Sequence, residues 1–425
     1  MRIPVPCSDI RNVIVLAKVL LFILHRKVTI WLIGLIWAVI RRKAGNLYRG
    51  WDKRPGTGNG IFKYNFYYIY GMKKILFFVP FVFFAACAPK SDVSSLPRVE
   101  TPAAVSEAVD AFINATETVP VAPDHITLHS IMILKHGNVV YERWLNGEGP
   151  DKPHVMYSVS KTFTSAAAGL AISEGKLKLD DKVISFFPDD LPENISDNLA
   201  AMTVRDLLTM TGGHDTEPSM GSDQAKTMTM TRLFLGHEVL HTPGEFYLYN
   251  SLGTYMVSAI IQKVTGERVN DYLDIRLWQP LGIEKPRFDR SPQGINFGGW
   301  GLYLKTEDMA KMGQLLLQGG KWNGVQVLPE DWVREMSSYQ VPSAPSGTRF
   351  DELEQAGLNK DNNDWVQGYG YQMWVCRHGA FRADGANGQY IIVFPEKDAV
   401  LVLTTDSNLY QPYLDLVWEY LLPIL

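Results

Sequence analysis

Strand signals in this 425-residue chain lie near its two ends, and most of what separates them reads as helix. Ser130–Leu145 holds two β-rich runs around His136-Gly137-Asn138, the pattern of a hairpin. Strands return only at Tyr369–Val375, Tyr390–Phe394 and Ala399–Thr405, ahead of a helix near Tyr413–Leu421. Between them, helices are predicted at Ser158–Ser173, Thr203–Met210, Ser251–Val264, Val269–Trp278 and Thr306–Leu317, the last with Thr306 as N-cap. Ala104–Thr116, with Val105, Val109, Phe112 and Ile113 on one stripe, adds a helix before the hairpin. Strands from opposite ends must meet in order to pair. The expectation is therefore an α/β fold: one antiparallel sheet from both chain ends, with flanking helices and an inserted helical lobe. A cleft between sheet and lobe is where a small-molecule site is expected.

Charge divides the chain differently. Residues 1–71 carry twelve Lys and Arg against Asp9 and Asp52, a balance of +10, so with a formal net charge of −4 the remainder carries −14. An acidic body argues against nucleic acid as partner, because phosphate binding needs clustered Lys and Arg. The apolar runs Val13–Leu24 and Val28–Ile40 fall short of the roughly 20 residues that span a bilayer, and Lys18 interrupts the first. Met72-Lys73-Lys74, the apolar Ile75–Phe84 and then Ala85-Ala86-Cys87 follow the order of a secretory signal. A Cys directly after two Ala resembles the bacterial lipoprotein signal, which implies a lipidated Cys87 as the first mature residue. On this reading residues 1–71 are a leader or non-native extension and 72–87 the signal peptide. Residues 88–102, rich in Pro and Ser, are a tether, and 103–425 are the folded domain. The product is expected to be exported, held on a membrane through Cys87, and to face the periplasm or outside. The other reading takes residues 13–40 as a true membrane anchor.

Ser158-Val159-Ser160-Lys161 fits S-x-x-K, and so does Ser173-Glu174-Gly175-Lys176. Context separates them. Ser173 ends a helix, whereas Ser158 opens one whose apolar positions run Val159, Phe163, Ala166 and Leu170. Ser and Lys three apart on a helix share a face, so the amine can reach the hydroxyl. Unpaired N–H groups at the helix start suit a developing oxyanion. A Lys in a dry cleft can lose its proton near neutral pH and act as a base. Alone, the tetrapeptide fits a capping serine and a solvated lysine better, since capping serines are common.

A second element, Pro243-Gly244-Glu245-Phe246-Tyr247-Leu248-Tyr249-Asn250-Ser251, changes the balance. Together with S-x-x-K it resembles the serine β-lactamase and penicillin-binding superfamily, in particular the class C-like branch of esterases and 6-aminohexanoate-dimer hydrolases. The likeness extends through Trp300-Gly301-Leu302, Thr306–Gly313, Trp332-Val333 and Gly368-Tyr369-Gly370, most of residues 125–425. It implies a β-lactamase-like fold and a serine hydrolase whose nucleophile is Ser158, activated by Lys161 and Tyr249. It also implies an oxyanion site from the backbone N–H groups of Ser158 and Ala386, and a small ester, amide or peptide as substrate. No cofactor and no metal are implied. A phenol is a poor base at neutral pH, so Lys161 is expected to favour the phenolate or relay the proton.

Two departures mark this chain. Ser251 stands where the family has asparagine, with Asn250 one residue early, which leaves open which of them faces the cleft. Ala383-Asp384-Gly385 replaces the family's K-T-G or H-x-G, so Asp384 and Gly385 are substrate-side candidates without a cation. That disfavours β-lactams, unless Arg382 supplies the charge. An alternative function is an acyl-trapping penicillin-binding sensor without efficient turnover. A third is a zinc peptidase using His237-Glu238-x-x-His241, although Pro243 stops any helix there too soon. His154 is a possible cleft residue, and Trp300, Tyr303 and Trp374 are candidate pocket aromatics. The loops 212–227 and 343–365 are expected to shape the pocket.

Overall fold

The computed structural model describes residues 95–119, 125–219 and 227–425. The basic leader, the Met72–Cys87 signal with Cys87 itself, and residues 88–94 lie outside the described residues. Among the described residues no helix is long and apolar enough to cross a membrane.

The sheet has six strands: β1 (Ile126–Lys135), β2 (Asn138–Trp144), β3 (Trp374–Val375), β4 (Phe381–Gly385), β5 (Gln389–Phe394) and β6 (Ala399–Ser407). Their order is β2-β1-β6-β5-β4-β3, every neighbouring pair antiparallel. β1 and β6 come from opposite ends and pair directly, from Ile126 opposite Ser407 to Lys135 opposite Ala399. The β1–β2 turn is closed by His136 and Gly137 at φ +50° and +74°, the left-handed pair that a tight hairpin requires.

Alternation along these strands sends apolar side chains both ways. Met132, Leu134, Ile391, Val393, Val400 and Val402 enter one core, while Ile131, Ile133, Ile392, Leu401 and Leu403 enter the other. Cover on both faces explains why the central strands β5 and β6 read as nearly unbroken apolar runs. The principal helices are α1 (Ala103–Thr118), α2 (Ser160–Ser173), α3 (Ser251–Thr265), α4 (Thr306–Leu317) and α5 (Tyr410–Leu416). The stripe Val105, Val109, Phe112 and Ile113 of α1 shares the second core with Tyr413 and Leu414 of α5. The other face carries α4 and the helical lobe. Gly313 lets α4 press on the sheet, since a Cβ there would stand 2.4 Å from a Val400 methyl.

Four local expectations need correction. Lys305, not Thr306, is the N-cap of α4, and Thr306 turns its hydroxyl to Ser130 Oγ at 2.8 Å. Residues 369–373 form a turn rather than a strand, with Gln372 at φ +66° and a 2.8 Å bond from Gly370 N to Met373 O. β4 went unread because Arg382 and Asp384 break its apolar pattern. Part of the supposed tether is docked: Leu96 is buried, Val99 N and Pro97 O bond the Val139 backbone, and Arg98 pairs with Glu142 at 2.9 Å and Glu307 at 2.7 Å.

Candidate active site

Ser158 does not open the α-helix; it sits in a 3₁₀ turn, Tyr157–Val159, directly before α2. Tyr157 has φ +45°, a left-handed conformation costly for a bulky residue. The surroundings hold it there. Ser160 Oγ donates to Tyr157 O at 2.6 Å and accepts from Leu302 N at 3.2 Å, while Met156 N bonds Leu302 O at 2.9 Å. A strained turn clamped on both sides fixes the serine hydroxyl.

Lys161, one turn on, has a side chain only 1% exposed. Its amine donates to Ser158 Oγ at 2.9 Å, to Ser251 Oγ at 3.1 Å and to Gly299 O at 2.9 Å. Burial drives its pKa down to about 7, against the upward pull of Glu217 and Asp384. The Gly299 carbonyl reaches the amine because residue 299 has no side chain; a Cβ would lie 2.9 Å from Ser251 O. The run Gly298-Gly299-Trp300-Gly301 was a readable hint of close backbone approach.

Tyr249 comes in on the strand-like segment before α3, where Leu248 N is bonded to Met210 O at 2.9 Å. Its ring stacks on Trp374 with centroids 5.5 Å apart, meets Tyr369 edge-on at 6.3 Å, and lies 4.8 Å from the Lys161 amine. Burial pushes its phenol well above the ordinary tyrosine range, and the hydrogen bond with Ser158 opposes this only in part. The expectation of a favoured phenolate therefore needs revision: the phenol stays protonated, and Lys161 holds the lower pKa.

Asn250 and Ser251 divide two tasks. Asn250 is buried and caps α3, its Oδ1 accepting from Gly253 N at 3.0 Å. Ser251, the first helical residue, turns toward α2 and meets Lys161. Ser251 is therefore the one beside the serine.

β4 closes the opposite wall. A Cβ on Gly385 would come within 2.4 Å of Met156 O, so only glycine lets this strand lie against the Ser158 turn. Ala386 follows it, and both Ala386 and Ser158 line a cavity of about 540 Å³. Asp384 lines it too, but its carboxylate is paired with Arg382 at 2.9 Å. Burial raises the Asp384 pKa, with the guanidinium pulling the other way. Arg382 is wholly buried over the faces of Trp365 (4.6 Å) and Trp374 (5.6 Å), so it offers no cation to the cavity. Trp374, Trp365, Tyr410, Pro345 and Leu409 make part of the wall apolar and aromatic, while Ser346, Thr348, Asn363 and Gln411 add polar groups. The loop 343–365 contributes as expected; the Asn408–Pro412 wall was not anticipated, although it is where the last strand turns into α5.

The remaining candidates lie elsewhere. Trp300 stacks on Phe297 at 4.7 Å, and Tyr303 lies under the Arg287 guanidinium at 4.4 Å. His154 pairs with His129 at 2.9 Å. His237-Glu238-x-x-His241 is not helical: the preceding helix ends at Leu235, and Val239 makes an isolated bridge to His214. His237 bonds Thr216 at 3.0 Å and His241 bonds Asp215 at 2.9 Å, so the two imidazoles serve different contacts and the zinc-peptidase geometry is not formed.

Comparisons with known proteins bear on the family and the fold. The chain is 23% identical over 323 residues to the 6-aminohexanoate-dimer hydrolase of Paenarthrobacter ureafaciens, covering 71% of this chain and 78% of that one. A candidate 6-aminohexanoate-dimer hydrolase from Bacillus anthracis superposes with TM-score 0.59 at 20% identity, over 76% of this chain and 86% of that one. EstCE1, a hydrolase with promiscuous acyltransferase activity, superposes with TM-score 0.57 at 18% identity, over 74% and 98%. The family model for Beta-lactamase matches residues 121–422, which is well over half of the sequence. This chain belongs to the beta-lactamase family of serine hydrolases.

Proposed function

We propose that the protein hydrolyses a neutral carboxylic ester or amide through an acyl-enzyme on Ser158. One observation carries the reading: a buried amine with pKa near 7 donates to the Ser158 hydroxyl at 2.9 Å. In its neutral form Lys161 accepts the Ser158 proton as Oγ attacks the carbonyl carbon. The backbone N–H groups of Ser158 and Ala386 are assigned to the resulting oxyanion. Tyr249, protonated at rest, gives its proton to the leaving alkoxide or amine as the C–O or C–N bond breaks, and recovers it from the Lys161 ammonium. Water then attacks the acyl carbon, its proton leaving by the same pair, and Ser158 is regenerated.

Substrate charge is read from the cavity wall. With Arg382 committed to Asp384, nothing there favours a carboxylate, and the aromatic lining suits an uncharged acyl group. The relative named for 6-aminohexanoate dimers supports amide chemistry. The segment around Cys87 supports export and lipid anchoring on sequence grounds alone. A fluorophosphonate should label one serine per chain, Ser158, with labelling lost in Ser158→Ala and kept in Ser173→Ala. Steady turnover of p-nitrophenyl esters after the burst distinguishes an enzyme from an acyl-trapping sensor, which would stop after one equivalent.

A further inference from the structure

Glu217 lies outside every motif, yet it reaches the start of α3. Its Oε1 accepts from Ser251 N at 2.6 Å and from Leu252 N at 3.2 Å. These are first-turn N–H groups that no intrahelical carbonyl satisfies, and Asn250 already serves Gly253 N. The loop bearing Glu217 is itself pinned. Gly244 N bonds Thr211 O at 2.8 Å, His241 N bonds Gly213 O at 2.9 Å, and Asp215 holds both His241 and Arg349. His241 thus acts as a strut for this loop.

We infer that Glu217 is a positioning residue of the Ser158 site: it clamps the first turn of α3 so that Ser251 meets Lys161, and its carboxylate sets the charge that the Lys161 amine experiences. The inference rests on the reading of Ser158 and Lys161 given above. Two negative groups act on Lys161, Glu217 from this loop and Asp384 from β4, the latter offset by Arg382. Tyr249 faces the amine with its ring, and Ser158, Ser251 and Gly299 take its hydrogen bonds. Asp215 meets His241 and Arg349, and Arg349 is shared with Asp351 at 2.8 Å and Glu352 at 3.6 Å. Asp384 is held by its ion pair, which leaves Glu217 as the carboxylate whose removal frees the amine to lose its proton more readily.

Glu217→Gln separates the two tasks, since an amide oxygen still accepts both N–H bonds while the charge is gone. The test is kcat/KM for p-nitrophenyl acetate from about pH 5 to pH 9, with fluorophosphonate labelling of Ser158 in parallel. In Glu217→Gln the acid limb should move to lower pH, so that activity below the limb, relative to the plateau, rises about threefold. Glu217→Ala should lower plateau kcat about tenfold, with Glu217→Gln restoring most of it. An acid limb that stays in place in Glu217→Gln overturns the inference, whether or not Glu217→Ala folds. Labelling that persists in Ser158→Ala would instead remove the reading on which it rests.

Discussion

Lys161 Nζ stands 2.9 Å from Ser158 Oγ, with a side chain 1% exposed and its other bonds going to Ser251 and Gly299. A base enclosed this way must already have lost its proton in order to act, and burial places that loss near neutrality.

The first prediction follows from the sign of the shift. Lys161 is lowered to about 7, so the neutral amine accumulates above that pH and the ammonium below it. kcat/KM for a neutral ester should therefore rise with pH through an acid limb near 7. Lys161→Ala should lower kcat by at least ~10² and abolish that limb. A wild-type profile flat between about pH 5 and pH 9 would refute the assignment.

Tyr249 and Lys161 both touch the Ser158 hydroxyl, so their losses should not add. Tyr249→Phe should lower kcat by about 10², and the double variant with Lys161→Ala should be little worse than the worse single one. Unchanged turnover in Tyr249→Phe would show that another group protonates the leaving group.

The Arg382–Asp384 pair makes a prediction on stability and one on specificity. Arg382→Met leaves a buried carboxylate without its cation and should cost about 3–5 kcal/mol in urea denaturation, much of it recovered by adding Asp384→Leu. With the pair intact, kcat/KM for a short neutral ester should exceed that for nitrocefin. Efficient nitrocefin turnover would mean that a cation reaches the cavity after all.

Gly385→Ala should destabilise by about 1–3 kcal/mol and depress labelling at Ser158 together, because the new methyl meets the Met156 carbonyl, two residues before the nucleophile. Thermal melts and labelling rates on the same preparation would test it; a melt within error of wild type would show that the strand can shift.

The sequence segment Met72–Cys87 predicts processing at a lipidated Cys87, so Cys87→Ala should leave a retained precursor or a soluble form. Mass spectrometry of the native protein checks this directly, and recovery of peptides from residues 1–71 would count against it.

What the sequence carried is unevenly spread. The sheet from both ends was legible because β5 and β6, buried on two faces, leave nearly unbroken apolar runs and β1 and β2 flank a hairpin turn. β4 was not, since Arg382 and Asp384 look solvated until their pairing is seen. Ser158, Lys161 and Tyr249 were legible because S-x-x-K and P-G-x-x-f-x-Y each hold their residues within a few positions, a spacing that local backbone geometry fixes. The choice between Asn250 and Ser251 was not, because it depends on the phase in which α3 starts and on which side α2 lies.

Local order along the chain thus determined the types of element and the paired motifs. Tertiary structure alone decided the rest: the dryness that brings Lys161 to about 7, the Gly299 carbonyl, the Glu217 clamp and the burial of Arg382 between tryptophans. The reason is physical. Burial and through-space charge belong to groups distant in sequence, Gly299 standing 138 residues from Lys161 and Glu217 34 from Ser251, and no local pattern encodes their approach.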